Sequence, residues 1–403
     1  MRKQITMLVT GNTSTGKTVA ACNVFHHMTN EGGVSAKAGD KELNFSLVAT
    51  SGCDSDFFDT QYINMITGEP LPPGSTENAS YELIFNDQEE SIANILYLDY
   101  RGGMIKDDKN EEKTKQQELE KAEFDYVLSH TGILIYIIPG DLLQKYIDLS
   151  SLEAGTVEYE LANMKIKKEI SLIKTLQQHV TNELENRAPI LYYVTKSDLV
   201  AEEEKIIPAL EELIRKWKLQ PKGRKILGCH STIGRNAVVV EENIANVSVS
   251  RIVSGFAPEG FEIPMLLTVG YRLSKEGAIW ADEQEKMIAD EIDALSVQKN
   301  NELAAKGAAN NELSGLTSGI RGFFTSKKKK EQKRNEISQQ DNKIMEIDNK
   351  INKKTKEKQS IADRNVDKQH SQNILDYLNA KHPNQVLYLD ENGNRSPLEK
   401  FFK

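Results

Sequence analysis

The chain has 403 residues, a formal net charge of −9 and three cysteines. That length accommodates two or three domains, and the acidic balance excludes a protein built as a whole to coat nucleic acid. Cys22, Cys53 and Cys229 are widely spaced and odd in number, which predicts a reducing compartment, no disulfide framework and no zinc site.

Residues 5–10 form a short apolar run, the pattern of a buried parallel strand. Gly11-Asn12-Thr13-Ser14-Thr15-Gly16-Lys17-Thr18 follows and matches G-x-x-x-x-G-K-[ST] at every fixed position, and residues 19–27 read as a helix. The chemistry needs this spacing. A Gly-rich turn lets successive backbone N–H groups converge on phosphate oxygens, and the helix N-terminus adds its dipole. Lys17 can then reach the β and γ oxygens, and the Thr18 hydroxyl can ligate Mg²⁺. The bland alternative is a strand–helix turn that binds nothing; strand before, helix after and four correct positions weigh against it.

A strand is expected at 45–50 and a helix at 56–67. The stretch GEPLPPGSTENASYELIF puts Thr76 in a Pro/Gly-rich loop before a strand at 81–85, where a switch threonine would give Mg²⁺ a second hydroxyl. Thr60 and Thr67 compete for that role. NILYLDYRGG, residues 94–103, is a strand ending in Asp99-x-x-Gly102. Asp99 can hold Mg²⁺ through a water, and the Gly102 N–H can meet a γ-phosphate.

Helices are expected near 112–129, 158–186 and 203–217, and strands at 132–138, 190–195 and 225–230. Asp141, after the 132–138 strand, is expected to cap a helix. Thr195-Lys196-Ser197-Asp198 leaves the C-terminal edge of its strand, where ligands bind in open α/β sheets. An ionised Asp198 can accept from guanine N1–H and the exocyclic amine, a pattern adenine lacks, while the Lys196 stem covers the ring. At roughly 1.5–3 kcal/mol per charge-assisted bond, two such bonds favour guanine by on the order of 10²-fold or more. Ser231-Thr232, at the next strand edge, can offer a backbone N–H to the guanine O6, although ordinary polar turns look much the same.

These motifs, in this order, resemble the Ras-like, TRAFAC-class P-loop GTPases. The inserted stretch FSLVATSGCDSDFFDTQYINMITGEPLPPGST resembles more narrowly the bacterial double-GTPase domains associated with conflict and defence systems. The resemblance covers about residues 1–275. It implies a doubly wound, mostly parallel α/β sheet and a GTPase that binds GTP and GDP and requires Mg²⁺. Where many such GTPases carry a glutamine after the D-x-x-G glycine, this chain has Gly103, so slow hydrolysis is expected without a partner or dimerisation. Arg101 can supply a guanidinium to the transition state, or simply stay solvated.

Residues 236–253 alternate β-branched and polar positions like a hairpin, and 260–280 is an apolar strand or helix. From 282 the composition turns helical. Ile288, Ile292, Leu295 and Leu303 share a face, and Ile337, Ile344, Ile347, Ile351 and Ile361 keep heptad spacing that Lys354 and Lys358 break; an antiparallel coiled-coil hairpin is expected, with a solvated helix pair packed back on the body as the bland alternative. The segment 313–334 sets Leu316, Ile320, Phe323 and Phe324 beside Lys327, Lys328, Lys329, Lys330, Lys333 and Arg334. Residues 321–358 carry 13 basic and 6 acidic side chains, a net +7. Such a cluster can touch an anionic membrane, grip nucleic-acid phosphates or an acidic protein partner, or remain in water.

The expected organisation is a P-loop domain at 1–280, a helical hairpin at 281–370 and a small α/β tail at 371–403. The apolar runs are too short to span a bilayer and no leader precedes the first strand, so a cytoplasmic protein is expected, with peripheral membrane contact through 313–334 as the variant. Three functions remain open: a GTP-hydrolysing switch signalling through 281–370 to an effector or second copy, a dynamin-like mechanical GTPase, and a scaffold that keeps GTP unhydrolysed. The seven histidines show no metal-ligand spacing.

Overall fold

The computed structural model describes residues 3–12, 15–29, 32–50, 55–71, 79–99, 115–244, 247–317, 327–361 and 365–402. The chain divides into two compact units, Met1–Ser274 with His370–Lys403, and Lys275–Gln369.

The larger unit is an α/β structure around a nine-stranded sheet. In chain order its elements are β1 (Lys3–Thr10), α1 (Lys17–Thr29), β2 (Val34–Ala38), β3 (Lys41–Ala49), α2 (Ser55–Thr67), β4 (Ala79–Asp87), β5 (Glu90–Asp99) and α3 (Lys115–His130). There follow β6 (Leu134–Pro139), α4 (Gly140–Leu149), α5 (Val157–Gln178), β7 (Ile190–Thr195), α6 (Ile206–Lys216) and β8 (Ile226–His230). The sheet order is β11-β8-β7-β6-β1-β5-β4-β3-β2, where β11 is Val386–Leu389.

Five inner strands, β5, β1, β6, β7 and β8, run parallel, and the outer pairings are antiparallel. The sheet is therefore mixed rather than mostly parallel. The cause is local: two-residue connections at Gly39-Asp40 and Gln88-Glu89 join β2 to β3 and β4 to β5, and links that short permit only antiparallel neighbours. The strand expected at 45–50 is thus the second arm of a hairpin.

Side chains alternate across the inner strands and feed two cores. Ile5, Met7, Val9, Ile135, Ile137, Leu191 and Tyr193 pack on one face with α1, α2, the first turns of α7 (Ile263–Thr317) and α9 (Val366–Lys381). Leu8, Leu134, Tyr136, Ile138, Ile190, Tyr192 and Val194 pack on the other with α3, α4, α5 and α6. Helices on both faces explain why β6 and β7 are apolar without interruption. The stretch at 260–280 resolves as helix, and 236–253 as the two-stranded hairpin β9 (Val238–Ile244) and β10 (Val247–Ser254). The tail, set apart in the sequence, contributes most of α9 and edge strand β11, which pairs antiparallel with β8.

The second unit holds most of α7 and α8 (Lys327–Gln359). Lys354 pairs with Glu291 at 2.6 Å, Lys299 with Asp348 at 2.6 Å, Lys306 with Asp341, and Lys333 with Glu312 at 2.8 Å. Each advance along one helix is matched by a retreat along the other, so the two run antiparallel. Exposed pairs of this kind fix register more than they stabilise. Ile288 and Ile347 are buried, but Leu303 is 44% exposed; it falls off the expected face, which Glu302 and Lys306 occupy instead. No helix among the described residues is long and apolar enough to cross a membrane.

Candidate functional site

The five parallel strands end along one edge. Val9 lies level with both Asp99 and Ile135, and Pro139 lies level with Thr195. From β1 the chain first builds the sheet toward β5 and then returns to build it toward β6, so β1 and β6 flank the topological switch point. Ligands of open α/β sheets bind at the carboxyl ends of strands there.

Residues 11, 12 and 15–18 of the phosphate-type loop are described; Thr13 and Ser14 lie outside the described residues. Gly16 holds φ +90°, a backbone conformation that suits glycine. Lys17 opens α1 and is only 5% exposed. Its amine donates to the Gly11 carbonyl at 3.1 Å and the Asn12 carbonyl at 2.9 Å. Burial pushes its pKa down, and the Asp99 carboxylate works against that shift. The Thr18 hydroxyl lies 3.5 Å from Asp99 Oδ2, so a hydroxyl and a carboxylate meet at the mouth of the loop. Hard oxygen donors of this sort suit Mg²⁺. Among the described residues no group of three or more His, Cys, Asp or Glu side chains is placed to hold an ion. An ion shared between phosphate, one hydroxyl and one carboxylate does not need such a group. Thr76, Gly102, Arg101 and Gly103 lie outside the described residues.

The second half of the site adjoins the first. The Thr195 hydroxyl donates to the Thr15 carbonyl at 2.5 Å, tying the end of β7 to the loop. A Cβ on Gly16 would meet Thr195 Oγ1 at 3.4 Å and the Lys196 ε-carbon at 3.8 Å. Lys196 holds φ 51°, left-handed for a residue with a Cβ, and leads into a short 3₁₀ turn over Ser197–Leu199. That geometry costs about 1–2 kcal/mol, and such strain clusters at functional sites. It is held from two sides. Gly140 packs so closely that a Cβ there would lie 2.0 Å from the Lys196 carbonyl oxygen. Arg235 Nη1 donates to the carbonyls of Ser197 at 2.8 Å and Val200 at 3.3 Å, while its Nε donates to Glu203 at 3.0 Å.

In this turn, Asp198 Oδ1 and Ser197 Oγ, and at the end of β8 and just beyond it His230 Nδ1 and Arg235 Nη2, are buried with no hydrogen-bond partner among the described residues. Burial raises the Asp198 carboxyl above its usual range, against the backbone N–H groups of Asp198 and Ile233 and the Arg235 and Lys196 charges. Burial likewise pushes the His230 imidazole down to about 4. Four buried polar atoms left open at one strand edge call for a polar ligand or ordered water.

Ser231 and Thr232 lie here too, but their N–H groups are spent inside the protein. Ser231 N–H donates to Val194 at 2.9 Å and Thr232 N–H to Glu259 at 3.0 Å, so in this conformation neither is offered to a base. Asp141 is not a cap: Pro139 holds that position, and Asp141, in the first turn of α4, accepts from Lys145 at 3.0 Å. Sequence reasoning missed Arg235, Gly140 and Glu169, which accepts from the Asn12 side chain. Compared with known protein families, with curated proteins and with solved structures, the chain matches none.

Proposed function

We propose that the chain is a Mg²⁺-dependent, GTP-binding and GTP-hydrolysing switch of the P-loop class. The observation that carries this is the Asp198 carboxylate, with one oxygen buried and without a hydrogen-bond partner among the described residues, beside a loop of G-x-x-x-x-G-K-[ST] pattern. Guanine presents two adjacent donors to such a carboxylate, and Arg235 Nη2, likewise buried and unpartnered among the described residues, would be a donor for its O6. Lys17 would exchange two carbonyls for β and γ phosphate oxygens. An anion there restores the charged amine that burial disfavours. Thr18, Asp99 and Thr76 would hold Mg²⁺, which when bound neutralises charge on the transferring phosphoryl group. Thr76 and the Gly102 N–H would sense the γ-phosphate and relax when it leaves. With Gly103 offering no side chain to the attacking water, turnover by the isolated chain is slow. The narrower resemblance to double-GTPase domains rests on residues 45–76, whose described residues form the second half of β3 and α2.

The deciding experiment titrates purified protein with GTP, GDP, ATP and XTP, with and without Mg²⁺, and follows single-turnover hydrolysis at high protein concentration. Tight, Mg²⁺-enhanced binding of GTP over ATP by at least tenfold, with slow release of phosphate, is expected. Preference for ATP, or no nucleotide binding, overturns the proposal; binding without any hydrolysis leaves the scaffold in its place.

A further inference from the structure

Helix α5 has two faces. Ile166, Ile170, Ile173 and Leu176 are buried in the core under the sheet. On the opposite face Val157, Leu161 and Met164 are 75%, 55% and 64% exposed, followed by exposed Lys168. At about 100° per residue, positions 157, 161, 164 and 168 form one straight stripe, turned about 180° from the buried one. The stripe is symmetric about the point between Ala162 and Asn163. Leu161 and Met164 stand equally far from that point, and so do Val157 and Lys168.

The charges beside the stripe straddle the same point with opposite sign, each pair centred one residue to either side of it. Exposed Glu160 and Lys167 lie on one flank, and exposed Glu158 and Lys165 on the other, the acids before the midpoint and the bases after it. Two helices packed face to face and antiparallel by a two-fold axis bring each flank against the same flank of the partner, with height reversed. Glu160 then lies within two residues' rise, about 3 Å, of the level of the partner's Lys167, and Glu158 equally close to that of the partner's Lys165, within reach of these long side chains. Leu161 meets Met164, and the Lys168 stem covers Val157. A parallel arrangement would instead set acid on acid and base on base.

We propose that α5 is a self-complementary surface through which two copies of this chain pair, antiparallel about the 162–163 midpoint. Three apolar side chains per copy fall well short of the ~1,200 Å² of a standard interface. The pairing is accordingly weak, with a dissociation constant on the order of 100 µM. It stands whatever nucleotide the loop takes, although the same helix also carries Glu169, the partner of Asn12.

Sedimentation velocity of the full chain from about 10 µM to about 1 mM tests it. Wild type should show a reversible monomer–dimer equilibrium. A chain with Glu158→Lys and Glu160→Lys, and another with Lys165→Glu and Lys167→Glu, should each lose at least tenfold in self-association while keeping wild-type circular dichroism. Mixing the two should restore pairing, as a heterodimer at least as tight as wild type. Wild type that stays monomeric throughout, single variants that associate like wild type, or a mixture that stays monomeric each overturn the proposal.

Discussion

Asp198→Asn tests the base pocket directly. The amide keeps the shape of the side chain but replaces one accepting oxygen with a donating nitrogen, so at least one bond to the guanine edge becomes donor against donor. One charge-assisted bond is worth roughly 1.5–3 kcal/mol, which predicts a loss of about 10- to 150-fold in GTP affinity. Xanthine carries a carbonyl where guanine carries its amine, so XTP should recover much of that loss and reverse the preference. The structure also supplies an internal control. Burial penalises the Asp198 charge, so removing it should leave the nucleotide-free protein at least as stable as wild type. Competition against a fluorescent nucleotide gives the affinities, and thermal unfolding without nucleotide gives the control. Unchanged GTP binding in a folded variant would mean that Asp198 does not face the base.

Arg235→Ala removes the bonds to Ser197 and Val200 and frees the turn carrying Asp198; GTP should dissociate at least tenfold faster, and Arg235→Lys should not rescue, because one ammonium does not reproduce the fork. Gly140→Ala places a Cβ 2.0 Å from the Lys196 carbonyl, so chemical denaturation should show a loss of about 1–3 kcal/mol together with weakened nucleotide binding; wild-type values for both would show that the turn yields freely. His230 is neutral in the fold, its pKa pushed from 6.5 to about 4, so the unfolded chain binds the extra proton as pH falls through that window. Stability should therefore drop by about 2 kcal/mol between pH 7.5 and 5, and His230→Phe should flatten that slope; identical slopes refute the assignment.

What the sequence disclosed follows from how local each signal is. Continuous apolar runs marked β1, β6, β7 and β8 because strands covered on both faces need them. The residues from Gly11 to Thr18 stood out because their spacing is fixed within one short stretch, and the described part of it runs from the end of β1 into the start of α1. Lys196 and Asp198 were legible for a related reason, as a tetrapeptide at a strand edge. Strand β2 was missed because Val34, Ala36 and Ala38 are only half-buried at the sheet edge, and small residues there give little periodic contrast. Glu169, Gly140 and Arg235 act across gaps of 157, about 56 and 38 residues, and no local pattern announces a partner at such a distance. The Ser231-Thr232 turn fits the same account, since only the folded register shows that Val194 and Glu259 have already taken its N–H groups.

The two ends of the site consequently depend on the fold to different degrees. The proposed phosphate end lies on one contiguous stretch, Gly11 to Thr18, between the end of β1 and the start of α1. The proposed base end is assembled from three separate segments: Gly140 after β6, residues 195–200 from the end of β7, and residues 230–235 from the end of β8. A left-handed Lys196 and open polar atoms persist there only because packing from several strands over-determines the turn. The Thr195–Thr15 hydrogen bond is the described joint between the two ends. If the loop takes the triphosphate as proposed, a shift of Thr15 would be passed through this bond to the residue three before Asp198, so recognition of the base and closure on the phosphates would depend on each other.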